Sequence, residues 1–498
     1  MFQPRPSAKP WAVTALACIL ALAAASPATA QSTRKEHDSI GDRMIPAEAY
    51  WGVQTSRAVE NFPFNTEKIE HFPTFIKAYA FVKKAAAQAN FELGILPKAK
   101  LDAISQACDD LIAGKLKDQF PEDMIQAGAG TSTNMNFNEV IANRALEIMG
   151  MAKGDYAHMH PNDDVNLSQS TNDNYPTSAK VAVVMEIDQA LKDLKVLKAA
   201  LEAKGAEFKD VIKMGRTEMQ DAVPVTLGQE FYGFADNIEG AIEQLQEAQN
   251  SFMKVNLGGT AIGTGLNSPP KYSGLAIRKL ASLTGFPFVP NHDLVGASSD
   301  CASYLQMSGA MKRAGLAMSK IANDLRLMSS GPRTGLFEIT LPAMQPGSSI
   351  MPGKVNPVIC EVTSSIAYQL CGYDTTVGMA AELSSLELNP VECIIVYDEL
   401  VGASLLGKAA DVFTHKCVNG IQANTERCRA MVKSSIGLVT ALNPVLGYER
   451  SASIAKESLK TGRPVYDLVL EKGWMTREQL DDMLKPENMT QPRDWPKR

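Results

Sequence analysis

The chain is poor in several things that would each mark a function class. It has six histidines in 498 residues, scattered without paired spacing, so no zinc-type ligand set suggests itself. His158 and His160, in "HMHPNDD", read as solvated loop residues. There is no C-x-x-C pair, no G-x-x-x-x-G-K-[ST] loop and no G-x-G-x-x-G turn, which removes the usual redox and nucleotide signatures. Lys and Arg do not exceed Asp and Glu; the net charge is −6, which argues against a nucleic-acid partner. Internal repeats and low-complexity tracts are absent. Period-two alternation bounded by turns is scarce, so a sheet-based fold is disfavoured.

What is present begins with a leader. Arg5 and Lys9 precede an uncharged apolar run from Trp11 to Ala25, then Pro27 and the triplet Ala28-Thr29-Ala30. Positive charge, a short apolar core and a small-residue site form the order of a secretory signal, with cleavage after Ala30. The run is short for a bilayer span of about 20 residues. A periplasmic or secreted product is therefore expected, with no membrane association once the signal is removed. Cleavage would leave Cys108, Cys301, Cys360, Cys371, Cys393, Cys417 and Cys428, an odd number, so at least one thiol stays free. In a chain of this size buried, reduced cysteines are expected.

The body reads as helix. Val184, Ile187, Leu191, Leu194, Leu197 and Leu201 form one apolar stripe between Val181 and Leu201. Phe231, Phe234, Ile238, Ile242 and Leu245 repeat the pattern after Pro224 and Thr226, a cap region. Ala302 to Leu327 is a third such run. Helices with several apolar faces bury them in bundles, often across subunits, so an all-α, oligomeric architecture is expected.

Between the periodic runs lie polar stretches: "AGAGTSTNMN" (127–136), "NLSQSTNDNYPTS" (166–178), "GRTEMQDAVPVTLGQE" (215–230) and "VNLGGTAIGTGLN" (255–267). Together they offer many neutral donors and few cations, which suits a small dianion. A fifth, "PGSSIMPGKVNP" (346–357), places Ser348, Ser349, Lys354 and Asn356 on a segment that Gly347, Pro352, Gly353 and Pro357 keep out of helix and central strand.

These segments resemble those of the fumarase/aspartase superfamily, with "GSSIMPGKVNP" as its signature and similarity from Ser39 to Met483. Within it, Ser132 after Thr131, "QFPEDMIQAGAG" and "LGGTAIGTGLN" look more like the aspartate ammonia-lyases than the fumarate hydratases. Glu218, after Thr217, departs from both patterns: hydratases carry histidine there, and aspartate ammonia-lyases glutamine or histidine.

The resemblance implies a three-domain all-α fold with a long central helical bundle; after the signal at 1–30, the domains are expected at 31–170, 171–425 and 426–498. It implies a homotetramer whose active sites are each shared by three subunits, with no metal or organic cofactor. The implied reaction is the reversible deamination of L-aspartate to fumarate and ammonia through an aci-carboxylate. Thr131, Ser170, Thr171 and Ser349 would hold the β-carboxylate; Thr217, Lys354 and Asn356 would take the α-carboxylate. Asn172 and Glu218 would face the amino group, with Glu361 as the neighbour of Glu218. Ser348 would be the base on a closing lid, and Lys354 would help favour its alkoxide. The rivals are a class II fumarate hydratase on the same scaffold and a catalytically silent exported binding protein.

The export expectation has a direct check. Intact-mass analysis of the protein recovered from its native host should place the N-terminus at Gln31; a chain still beginning at Met1 would overturn it.

Overall fold

The computed structural model describes residues 32–64, 66–492 and 494; the expected leader and its cleavage point lie outside them. The chain opens with an antiparallel ribbon, β1 (Thr33–Asp38) and β2 (Gly41–Pro46), Thr33 pairing with Pro46. Helices α1 (Val53–Asn61), α2 (Pro73–Glu92), α3 (Lys98–Ile112) and α4 (Thr131–Ile148) follow.

The centre is made of long helices: α5 (Thr171–Glu207), α6 (Leu227–Phe252), α9 (Ala302–Met328), α10 (Val358–Glu382) and α11 (Glu392–Lys416). The short α7 (Tyr272–Thr284) and α8 (Leu294–Ala297) precede α9. α10 lies along α9 and α11, α5 along α6 and α11, and α2 bridges α5 and α3. The stripe expected on α5 is where the sequence pattern puts it: Val184, Ile187, Leu191, Leu194, Leu197 and Leu201 are all buried. Thr226 caps α6, its Oγ1 accepting from Gln229 N at 3.1 Å while Gln229 Oε1 accepts from Thr226 N at 3.0 Å.

One continuous apolar core runs from Ile69 to Ile421. A second, smaller core gathers α12 (Thr425–Ser434), α13 (Leu438–Leu446), α14 (Tyr448–Thr461), α15 (Val465–Glu471) and α16 (Arg477–Met483), with α17 (Pro486–Met489) after them. Ile212 and Met214 belong to this second core. They lie on β3 (Ile212–Thr217), which pairs antiparallel with β4 (Gln220–Thr226). Two very short ribbons complete the strands: β5 (Lys254–Val255) with β6 (Val289–Pro290), and β7 (Ile339–Thr340) with β8 (Gln422–Ala423). The fold is helical with four two-stranded ribbons and no larger sheet among the described residues.

The polar stretches are only partly loops. "NLSQSTNDNYPTS" leaves loop conformation at Ser170, and residues 171–178 are already α5 despite Pro176. Proline there cannot bond the Asn172 carbonyl four residues back. Asn256 Nδ2 donates to that carbonyl instead, at 3.0 Å, so the helix continues through the proline. All seven described cysteines are free thiols; Cys371 is half-buried and the others are buried. No helix among the described residues is long and apolar enough to cross a membrane.

Candidate active site

The residues singled out from sequence fall into three groups. The first sits where the N-termini of α4 and α5 meet one cavity of about 730 Å³, lined by Thr131, Ser170, Thr171, Asn134, Gln169 and Thr260 among others. Gly130 caps α4 with φ +81, and a Cβ there would lie 2.2 Å from the Tyr175 ring, so only glycine fits. Thr131 Oγ1 donates to Gly128 O at 2.9 Å. Ser170 caps α5: its Oγ accepts from Asn172 N at 3.2 Å, and its own N–H donates to Asp173 Oδ1 at 2.9 Å. Asn172 Nδ2 donates to Ala261 O at 2.7 Å, which leaves Oδ1, an acceptor, to offer a ligand. Two helix N-termini opening on one polar cavity make a natural anion site.

Beneath this cavity lies a buried pair of ionisable groups. Asp173 is fully buried; its Oδ2 accepts from Gly258 N at 2.7 Å and Thr260 N at 3.1 Å, holding the 256–267 loop against the helix. Burial pushes its carboxyl up to about 6, against the pull of those three N–H donors and of Lys83. Lys83, in the middle of α2, is also fully buried. Burial pushes its ammonium down to about 7, with Asp173 pulling the other way.

The second group is the loop 346–357. Gly347 N donates to Lys354 O at 2.6 Å, Asn356 Nδ2 donates to Gly347 O at 3.1 Å, and Pro346 faces Val355 in a single antiparallel bridge. Gly353 turns the strand at φ +81. Within the turn, Ser348 Oγ accepts from both Ile350 N and Met351 N, each at 3.1 Å. Two amide dipoles aimed at one hydroxyl oxygen favour negative charge on it. Ser349 is exposed, and Ile350 beside it is 84% exposed. Lys354, Asn356 and Glu361, in the first turn of α10, line a cavity of about 860 Å³ together with Arg326 at the end of α9. Arg326 was not singled out from sequence. A basic residue in the last turn of a long helix is ordinary dipole compensation, so only the fold shows that it joins Lys354.

The third group is the tip of the β3–β4 hairpin. Thr217 pairs with Gln220 across a two-residue turn in which Glu218 and Met219 both adopt left-handed φ, +54 and +64. Such turns favour glycine and asparagine, so Glu218 sits in strained backbone at an exposed tip. The base of the hairpin is held by the buried Glu338, which takes Arg216 at 2.8 Å and Lys213 at 3.1 Å.

No hydrogen bond or ion pair among the described residues joins one group to another within the chain, and Glu218 and Glu361 belong to different groups. His158 is exposed, its Nδ1 3.0 Å from Asp155. His160 caps the turn 161–165, Nδ1 accepting from Asn162 N at 3.1 Å, and lines a cavity beside Thr131 and Ser132.

Comparison with known proteins gives the same direction throughout. A family profile described as "Lyase" matches residues 41–372, and one described as "Fumarase C C-terminus" matches 438–491. An aspartate ammonia-lyase of Helicobacter pylori is 53% identical over 464 residues, 93% of this chain and 99% of that protein. That of Escherichia coli K12 is 49% identical over 460 residues, covering 92% and 96%. Among solved structures, a fumarate lyase:delta crystallin from Brucella melitensis bound to cobalt superposes with a TM-score of 0.90 at 52% identity, covering 93% of this chain and all of that one. A class II fumarase from Schistosoma mansoni superposes with a TM-score of 0.88 at 35% identity, with the same coverage.

The Asp173 anchor generates a stability prediction. In Asp173→Asn the side-chain amide presents at least one N–H towards buried donors, and each buried donor left unpaired costs about 1–3 kcal/mol. Urea unfolding should show a loss of that size; a midpoint equal to the parent's would contradict the anchoring role.

Proposed function

This chain belongs to the lyase family, and from that membership and the geometry above we propose that it deaminates L-aspartate to fumarate and ammonia, reversibly. The observation that carries the reading is the complementarity of two groups: helix N-termini lined by hydroxyls, and a serine whose oxygen already receives two amide N–H bonds.

The C3 proton of aspartate is weakly acidic until the neighbouring β-carboxylate takes on a second negative charge. Donors fixed where that charge develops stabilise it without reorganising at the moment of reaction. Ser170 and Thr171, at the start of α5, supply such donors, Thr131 at the start of α4 does so once its hydroxyl turns from Gly128 O, and Ser349 joins them from the loop. Thr217, Lys354 and Asn356 hold the α-carboxylate, and Arg326 adds a second cation beside Lys354. Asn172 and Glu218 accept from the substrate ammonium. A substrate cation between Glu218 and Glu361 relieves the repulsion of two carboxylates, whereas a hydroxyl does not, which favours aspartate over malate. Once the loop has closed and expelled water, Ser348, as the alkoxide that its two amide N–H bonds and Lys354 favour, takes the C3 proton to become the neutral hydroxyl, and the aci-carboxylate then collapses with cleavage of the C–N bond and loss of ammonia. The identities agree with this choice of substrate: about half with proteins named aspartate ammonia-lyase, 35% with a class II fumarase.

The reading includes a homotetramer in which each site is assembled from three subunits. Its support is twofold. No hydrogen bond or ion pair among the described residues joins the three groups, and the bundle helices carry apolar side chains in solvent. Leu305, Leu316 and Leu327 recur every eleven residues, three turns, along α9; Tyr368 and Met379 repeat that spacing on α10. The reading also includes export, which rests on the leader-like order of residues 1–30.

The purified chain should generate fumarate absorbance from aspartate, and little or none from malate. Ser348→Ala should lower turnover by at least about 100-fold, the range for loss of a general base, while still binding succinate. Turnover of malate in preference to aspartate would install the hydratase reading, and an active Ser348→Ala would remove Ser348 from its role.

A further inference from the structure

Lys83 has no place in the reaction as described, yet it is a fully buried lysine below the polar cavity. Its Nζ donates to Asn134 Oδ1 at 2.8 Å, Asn166 Oδ1 at 3.0 Å and Gln169 Oε1 at 3.1 Å. All three amides line the cavity that contains Ser170 and Thr171. We infer that Lys83 is a positioning residue that sets the hydrogen-bond polarity of this cavity, so that the Thr171 hydroxyl presents its proton, and not its lone pairs, to the substrate carboxylate.

A lysine ammonium has only donors, so the three atoms facing it must be the amide oxygens. That orients each amide. The N–H₂ end of Asn134 is turned to the other side, where Nδ2 donates to Thr171 Oγ1 at 3.2 Å and to Asn166 Oδ1 at 3.1 Å. The Gln169 oxygen is held the same way, taking a second bond from Asn174 Nδ2 at 2.6 Å. A hydroxyl has one proton. Because Thr171 Oγ1 accepts from Asn134, and no acceptor among the described residues takes its proton, that proton is left for the cavity.

Without Lys83 the Asn134 amide keeps only a long contact from the Tyr79 hydroxyl, 3.5 Å from Oδ1, and its bond to Asn166, whose own oxygen also loses the ammonium. Rotated by half a turn, the Asn134 amide would present Oδ1 to Thr171, whose proton would then point inward. The cavity would meet a carboxylate with oxygen lone pairs, a contact that worsens as the carboxylate gains its second charge. The loss therefore falls on the transition state more than on ground-state binding.

This inference rests on the deaminase reading, and the test separates the two. Lys83→Gln should reduce kcat for aspartate about 100-fold, as for loss of one oxyanion donor, with KM within threefold of the parent. Succinate, a ground-state dicarboxylate, should bind nearly as before. The nitronate of 3-nitropropanoate, whose planar dianion imitates the aci-carboxylate, should weaken by about the same factor as kcat. Combined with Thr171→Val, Lys83→Gln should add less than threefold, since it acts through that hydroxyl. Asn134→Asp provides the second arm: it keeps an acceptor for Lys83 but lacks the N–H₂ that feeds Thr171, so the same loss of kcat is expected whether or not Lys83→Gln folds. A kcat within threefold of the parent in either variant, equal weakening of succinate and nitronate, or fully additive losses with Thr171→Val would overturn the positioning role alone. A parent that makes no fumarate from aspartate overturns the deaminase reading and this inference with it.

Discussion

The arrangement depends on one buried carboxylate. Asp173 sits three residues into the longest helix of the chain, out of contact with water, and its two oxygens take three backbone N–H groups from two separate segments. One bond closes the cap of α5 at Ser170. The other two pull the loop carrying Gly258 and Thr260 onto the same spot, where Gly258 lies so close to Ser273 that a Cβ would come within 2.4 Å. A carboxyl buried this deeply is tolerated only when its oxygens are hydrogen-bonded. The charge of Lys83 on α2 favours its ionised form from a distance, and Lys83 itself holds the amides that line the cavity. Cap, loop and cavity floor are thus one polar unit set into the largest apolar core.

That unit explains a division of labour. The hydroxyls at the starts of α4 and α5 stand on helices packed into the larger apolar core. Ser348 and Lys354 stand on a hairpin loop whose apolar residues face solvent, and Glu218 on a strained turn at the tip of a ribbon. On the proposed reading, donors at the helix ends serve the developing charge, while the loop and the turn bring the groups that take the proton and meet the ammonium. The ribbon is itself tied to the body by Glu338, Lys213 and Arg216, so the strain at Glu218 is held from below.

Much of this was legible in the sequence, and the exceptions have physical causes. The apolar stripes of α5, α6 and α9 announced themselves because period and burial agree, and Thr226 because capping is local chemistry. The signature loop was readable from its glycines and prolines. The start of α5 was not: Pro176 reads as a breaker, and the bond that rescues it comes from Asn256, eighty residues away in the chain. Lys83 lies in "FVKKAAAQAN", where two adjacent lysines in an alanine-rich helix look solvated. Only the packing of α2 against α5 decides that it is buried while Lys84 reaches Asp109 at the surface. Arg326 was hidden for a similar reason, and that no bond joins the three groups within the chain only the fold could show.

That separation is the point on which the account is most exposed. If each site draws Ser348 from one subunit and the hydroxyls of α4 and α5 from another, two inactive chains should complement each other. Ser348→Ala and Thr171→Val chains, each nearly silent alone, would be unfolded together, refolded as mixed oligomers and assayed for fumarate from aspartate. The account predicts that activity returns to a sizeable fraction of the parent's, because some sites then receive both intact groups. Mixed oligomers no more active than the separate variants would show that each chain builds its site alone, and would contradict it.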